Sequence, residues 1–323
     1  MRPTARSILL WIGLALTAFF TYLALREAHL DEVKTAFLES EKGWLVPAFV
    51  VLVAAVYVRA VRWWSLYDRE RRPPLGDVIQ ALLVGYFFNN VLPLRAGEAA
   101  RIVALHRAAG TSRVESAATA VLERAYDLIV LLLLLFVILP WLPDVTWLRA
   151  AAWLLAVLVV VVTIVVAVLA RFGTRPLELL VRPLARLPLL GAERLEWGAL
   201  NLDRGLAGLR HTRVALGAAL WTIASWLLVG LSAWLVLLGF DLGLSPVAGL
   251  FVVITINLAL VLPSSPAAIG VFEAATLLAL DAYGVGRSEA LSYALVYHAL
   301  NFLPFILAGL IVLRLQLRSR PVG

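Results

Sequence analysis

Asn89-Asn90-Val91-Leu92-Pro93-Leu94-Arg95-Ala96-Gly97-Glu98 decides the fold, because a later stretch repeats its design. That stretch is Asn257-Leu258-Ala259-Leu260-Val261-Leu262-Pro263-Ser264-Ser265-Pro266-Ala267-Ala268-Ile269-Gly270-Val271-Phe272-Glu273. Each follows an apolar run, carries Asn, breaks at Leu-Pro, passes through Gly and opens a new helical pattern with Glu. Broken backbone among hydrophobic segments is tolerated only where it is buried in protein or lines a water-filled cavity. Both breaks therefore point to a purpose, and the remaining chain frames them.

The frame is hydrophobic. Of 323 residues 62% are hydrophobic and 15% are charged, against about 25% charged in soluble domains. Several runs approach or exceed the roughly 18 to 20 apolar residues that span a bilayer. The chain reads as an all-α polytopic membrane protein, a single integral membrane domain over 1–323. Short alternating segments, the mark of a transmembrane β-barrel, do not occur. The net charge of +7 lies in loops beside apolar helices, where Arg and Lys set topology and meet anionic headgroups. Nucleic acid is not an expected partner. With no cysteine, disulfides and thiol chemistry are excluded.

Counting basic residues orients the segments. Arg2 and Arg6 place the N-terminus in the cytoplasm, ahead of a retained first helix at 7–25. An acidic loop follows, and a second helix at 44–66 returns to Arg69, Arg71 and Arg72. Trp44, Trp63, Trp64 and Tyr67 read as interfacial aromatics. Arg59 and Arg62, near the helix end, are expected to snorkel. Segment 78–92 would rise roughly 22 Å as a helix, short of a 30 Å core. The stretch beyond it, with Arg101, Arg107 and Arg113, again belongs in the cytoplasm. A re-entrant hairpin at 78–109 satisfies both constraints. Helices at 116–139 and 147–170 then lead to a basic segment at 171–213, either an interfacial amphipathic helix or a solvated linker.

The second half repeats the plan. A helix at 214–239 crosses outward, and the last helix at 289–313 ends in cytoplasmic Arg314, Arg318 and Arg320. Segment 247–286 must begin and end outside, so it reads as a hairpin of the opposite orientation. The expected architecture is about six spanning helices plus two opposed re-entrant hairpins, with 44–139 and 214–313 as inverted repeats. Setting Glu115 on Glu289 also aligns Glu123 with Tyr297, Arg124 with His298 and Asp127 with Asn301.

The candidate substrate-binding residues gather at these features. Glu123, Arg124 and Asp127 fall 10 to 16 Å into a spanning helix at about 1.5 Å per residue. Each isolated charge there costs at least about 2.5 kcal/mol. They form either a mutually neutralised structural set or a polar lining that meets a headgroup. At the first break, Asn89, Asn90, Pro93, Arg95, Gly97, Glu98 and Arg101 combine freed amides, a helix dipole and guanidiniums, which favour a phosphate-like anion. Glu98 as a plain cap and Arg95 as a headgroup anchor is the competing account. At the second break, Asn257, Ser264, Ser265, Gly270 and Glu273 offer amide, hydroxyls and a proton site, unless Pro263 and Pro266 serve only as turn formers. Tyr297, His298 and Asn301 complete the set. The four histidines have no metal-ligand spacing, and no nucleotide loop or nucleophile elbow is present. No metal, cofactor or catalytic residue is expected.

These motifs resemble the lysylphosphatidylglycerol synthase transmembrane-region family of flippase-like membrane proteins, over nearly the whole chain. Leu92-Pro93-x-Arg95-x-Gly97-Glu98, Glu123-Arg124-x-x-Asp127 and Leu262-Pro263-Ser264-Ser265-Pro266 through Glu273 carry the resemblance. In bifunctional relatives, the resemblance implies, this region moves aminoacylated phosphatidylglycerol between leaflets while a separate soluble domain makes that lipid. Only 314–323 follow the last expected helix here, so aminoacyl transfer is not expected. His298 departs from an Arg in the family pattern, which implies a different substrate or substrate charge.

The leading expectation is a flippase- or scramblase-type transporter of an anionic phospholipid or lipid-linked headgroup, working by alternating exposure of a midplane polar site. It would sit in the cell membrane with both termini cytoplasmic. Its partners would be anionic membrane lipids, with a homo-oligomer left open. The alternatives are a non-transporting scaffold or accessory subunit and, less favoured, an intramembrane lipid-modifying enzyme.

Overall fold

Among the described residues, three helices are long and apolar enough to cross a membrane: Lys42–Ser65, Thr212–Gly239 and Arg287–Gln316. They belong to a computed structural model that describes residues 18–25, 28–92, 96–143, 212–261 and 266–318, with isolated positions between 157 and 168. Among the described residues the regular structure is entirely helical, without a strand. The helices are α1 (Leu30–Glu39), α2 (Leu45–Ser65), α3 (Leu75–Val91), α4 (Gly97–Ala109), α5 (Arg113–Ile138), α6 (Thr212–Gly239), α7 (Pro246–Ala259), α8 (Val271–Asp281) and α9 (Arg287–Arg318). The expected helix at 147–170 and the segment at 171–213 lie largely or wholly outside the described residues, as does most of 7–25.

One order of elements occurs twice: a long helix, two short helices about a break, and another long helix. It is α2, α3, α4, α5 and then α6, α7, α8, α9. The short helices have 17, 13, 14 and 11 residues, and at 1.5 Å per residue none reaches about 30 Å. α5 has 26 residues, about 39 Å, but carries Glu123, Arg124 and Asp127 along its length. The long helices α2 and α6 pack on each other, α3 packs on α4 and on α9, and α7 packs on α6 and α8.

The chain ends its helices where the local chemistry directs. Gly110 takes a left-handed φ of 68° after α4, and its amide bonds to the His106 carbonyl, a glycine stop that satisfies a terminal carbonyl. Ser112 caps α5 by accepting the Glu115 amide. α3 and α4 run antiparallel at close quarters. A Cβ on Gly97 would collide with the Gly85 carbonyl oxygen, and one on Gly85 would press on Arg101 and the Gly97 carbonyl. Glycine at both positions lets the two backbones touch. Gly309 gives α9 the same close approach to the Leu83 carbonyl of α3.

Contacts distant in sequence sort the helix ends into two clusters. At one end, the Glu41 amide donates to the Gly239 carbonyl at 2.7 Å, Ser288 Oγ donates to Glu32 at 2.7 Å, and Arg287 bonds to the Leu23 carbonyl. At the other, Tyr67 Oη lies 2.9 Å from Ser116 Oγ, and Gln316 Nε2 lies 3.2 Å from Gln80 Oε1. α3 packs against the Pro266–Ala268 turn, which brings the described edges of the two breaks together.

Three expectations need correction. The loop after the first helix holds α1, whose Leu30, Val33 and Phe37 fall at helical spacing. Trp63 and Tyr67 are not interfacial aromatics but are buried against α5, where Trp63 Nε1 donates to Thr119 Oγ1 at 3.0 Å. Arg62 does not snorkel. It follows Ala48, Leu52 and Ala55 on the buried stripe of α2, and two carboxylates of α5 hold its head inside.

Candidate functional site

A cavity of about 690 Å³ opens between the two breaks. Its polar lining includes Arg59, Asn89, Asn90, Glu98, Arg124 and Asp127. Its apolar lining includes Leu52, Leu131, Val229, Val253, Ile256 and Phe305. All four helix-break elements contribute, with Ala267, Ala268 and Phe272 from the second break alongside Asn89, Leu92 and Glu98 from the first. The volume falls in the range typical of small-molecule sites, and the lining is amphipathic.

Behind the polar lining lies a network of charges. Arg62 donates to Asp127 at 2.5 Å and to Glu123 at 2.9 Å, while Arg101 meets Glu123 at 2.8 Å and Glu98 at 2.8 Å. Arg124 reaches Glu98 at 3.4 Å and Asp127 at 3.5 Å, completing the ring. Thr222 Oγ1 and Trp226 Nε1 of α6 add hydrogen bonds to Arg62 and Asp127 at 3.2 and 3.0 Å. Arg62 and Arg101 side chains are 2 and 3% exposed, whereas Arg124 is 49% exposed. The first two are buried on the protein's own carboxylates, and of these three Arg124 is the one exposed at the cavity.

Arg59 is the fourth guanidinium. It pairs with no carboxylate among the described residues and lies 4.5 Å over the Trp226 ring, a cation–π contact that leaves its charge uncancelled. Arg59, Arg62, Arg101 and Arg124 thus stand against Glu98, Glu123 and Asp127 around one small hollow beside the cavity. Four positive charges against three negative leave one positive charge in excess.

The first break is held without a charge. Asn89 Oδ1 accepts the Gly97 amide at 2.8 Å, satisfying one of the orphan donors at the start of α4. Asn257 and Asn301 each donate back to their own helix, to Val253 and Tyr297 carbonyls at 2.9 and 2.8 Å, and both line the cavity. Tyr297 also lines it, with its hydroxyl 3.4 Å from the Val229 carbonyl.

The second break is held by a buried pair. His298 Nδ1 is hydrogen-bonded to Glu273 Oε1, His298 Nε2 lies 2.9 Å from the Ala267 carbonyl oxygen, and Glu273 Oε2 accepts the Gly270 amide at 2.7 Å. Phe272 stacks on the imidazole at 4.3 Å between centroids and Phe302 meets it edge-on at 4.1 Å.

The sequence expectations thus converge in part. Asn89, Asn90, Glu98, Arg124, Asp127, Asn257, Tyr297 and Asn301 line the cavity. Arg101 and Glu123 form its backing, Gly97 packs the hairpin, and Glu273 and His298 form the pair behind it, with the Gly270 amide donating to Glu273. Pro93, Arg95, Ser264 and Ser265 lie outside the described residues. Arg59, Arg62 and Trp226 were not among the expected residues. Two carboxylates against one arginine in α5 was the available signal, since that imbalance calls for a cation from a neighbouring helix.

The family model for the lysylphosphatidylglycerol synthase TM region matches residues 10–309. The chain belongs to this family. It is also similar to a UPF0104 membrane protein of Methanocaldococcus jannaschii, 23% identical over 228 residues, which covers 70% of this chain and 92% of that protein. Family and apolar helices together make it an integral membrane protein with transmembrane helices.

Proposed function

We propose that this protein moves a lipid with an anionic headgroup between the two leaflets of the cell membrane. The observation that carries the reading is a cavity between the breaks whose lining joins an excess of positive charge, at Arg59 and Arg124, to apolar side chains. A headgroup phosphate fits beside Arg59 and Arg124, where burial strengthens charge-assisted hydrogen bonds. Acyl chains fit beside Leu52, Leu131, Val229 and Val253.

In this reading α3–α4 and α7–α8 are re-entrant hairpins entering from opposite faces, and the two halves are inverted repeats. Their short lengths, the meeting of the breaks and the two clusters of helix ends support it. Rocking of one half against the other would expose the cavity to each leaflet in turn, the mechanism such repeats favour. The protein would act as a transporter rather than an enzyme, with cytoplasmic termini and membrane lipid as its partner.

The test is reconstitution into liposomes holding fluorescent phosphatidylglycerol or phosphatidylcholine, with an impermeant quencher outside. Quenching of phosphatidylglycerol beyond the outer-leaflet share, with less of phosphatidylcholine, is the expected result. Quenching confined to the outer leaflet for both lipids overturns the reading. One observation favours a second reading, a non-transporting scaffold: Arg62 and Arg101 are buried and ion-paired with Glu98, Glu123 and Asp127, as a structural network would be. The scaffold predicts no movement of either lipid.

A further inference from the structure

Two side chains make three contacts that fix the second break, and their protons can be counted. The Ala267 carbonyl oxygen only accepts, so His298 Nε2, 2.9 Å away, carries a hydrogen. One further proton lies between His298 Nδ1 and Glu273 Oε1, on either atom. Glu273 Oε2 is engaged by the Gly270 amide. In this conformation the pair is electrically neutral.

Neither neighbouring protonation state keeps all three contacts. With one proton fewer, Glu273 retains Nδ1–H because that bond is charge-assisted, and the lone pair of Nε2 then faces the Ala267 oxygen. The tether to Ala267 is lost. With one proton more, an N–H faces an O–H, or Oε2 gives up the Gly270 amide.

What the tether restrains is strained. Ala267 and Ala268 have φ of 57° and 58°, the left-handed region disfavoured for residues with a Cβ. Both line the cavity, as do Phe272 and Phe302. The pair therefore stands one side chain behind a wall that its proton keeps in place.

The neighbouring elements bring little competing charge. α7 has no ionisable side chain and α6 has none after Arg213. α8 contributes only Asp281 besides Glu273, at its far end. α9 contributes Tyr297 beside His298, with Arg287, Glu289, Arg314 and Arg318 toward its ends, and α3 contributes Tyr86 with Asp77 in its first turn. Tyr293 of α9 stacks on Tyr297, and Arg59 of α2 lines the same cavity as Tyr297 and Ala267, while Arg62 is held by Glu123 and Asp127.

We propose that Glu273–His298 is a proton-binding site that latches the second break, so that release of one proton frees the cavity wall formed by Ala267 and Ala268. Its extension, that lipid movement is linked to this proton, rests on the transport reading above; the latch does not.

The absence of cysteine provides the test. A spin label on Ile269→Cys, a 52% exposed position beside the tether, reports the wall in the full-length protein in detergent. Histidine ¹⁵N resonances report the titration, with His298 assigned by its loss in His298→Arg. The ratio of mobile to immobile label is expected to rise about tenfold or more with increasing pH, across the interval in which His298 titrates, as loss of one charge-assisted hydrogen bond implies. His298→Arg keeps donors for both partners and does not titrate, so its label is expected to stay immobile. If that variant does not fold, Glu273→Gln serves, since it removes the carboxylate that shares the proton and its step is expected to change. A label unmoved while His298 titrates, or a step unchanged in these variants, overturns the latch. In liposomes, pH-independent lipid movement by the wild type overturns the proton linkage and leaves transport standing. No movement at any pH overturns transport, while the label step still supports the latch.

Discussion

The two breaks are built from the same plan and held by opposite chemistry. Around the first, four arginines and three carboxylates form a fixed field, since guanidinium does not lose its proton in proteins. Around the second, one histidine and one glutamate hold a strained turn through contacts that depend on a proton. A symmetrical passage would need only one of these solutions twice. In the proposed transporter this division assigns separate duties, with the first break attracting the headgroup and the second setting when the wall gives way.

The largest effect expected on that contrast comes from Arg62→Ala. It leaves Asp127 without its closest counter-ion and Glu123 with Arg101 alone, and breaking a buried pair costs about 3–5 kcal/mol. Thermal unfolding in detergent is expected to show a large loss, with poor accumulation in the membrane. A stable, well-accumulated variant would mean that the ring is not what holds α2 to α5.

Next comes Arg124→Ala, or Glu98→Ala. Arg124 is half exposed and faces the cavity, so its loss is expected to cost little stability and abolish lipid movement in liposomes. Wild-type rates in both variants would break the assignment of the first break to headgroup binding. Gly97→Ala is expected to be smaller, about 1–3 kcal/mol, because overpacking forces apart the α3 and α4 backbones that meet at Gly85. Thermal unfolding reads it.

Ala267→Gly should have the smallest effect. It relieves a left-handed residue at some cost in unfolded-chain entropy, leaving a change within about 1 kcal/mol. It should also weaken the pH response of a label at Ile269, since less strain is stored behind the tether. An unaltered response would show that the strain at Ala267 contributes nothing to the second break.

Much of this was legible in the sequence, and what was missed has a common cause. The breaks declared themselves through Asn, Pro, Gly and Glu at matching positions, and the short lengths of α3 and α7 follow from where those residues fall. Glu123, Arg124 and Asp127 declared themselves by cost, because charges inside an apolar helix must be matched. What sequence reading could not supply was the partner. Arg62 is three residues from the end of α2, where snorkelling is the general rule, and only packing against α5 turns it inward. Trp63 and Tyr67 misled in the same way, since an aromatic at a helix end looks alike whether it meets headgroups or Thr119 and Ser116. His298 belongs to the expected substrate-binding set, but it does not line the cavity. It is packed, but the hydrogen bond from its second nitrogen to Ala267 depends on a turn that no local pattern predicts.

The central claim is that the two hairpins enter from opposite faces and meet at one cavity, and sidedness tests it directly. Ala108 and Ser245 are exposed residues at the open ends of α4 and α7, and the native chain has no cysteine to interfere. With Ala108→Cys and Ser245→Cys made singly, an impermeant maleimide is expected to label the first only from the cytoplasmic side and the second only from outside. Labelling of both from the same side would contradict opposed hairpins, and with them the passage proposed between the breaks.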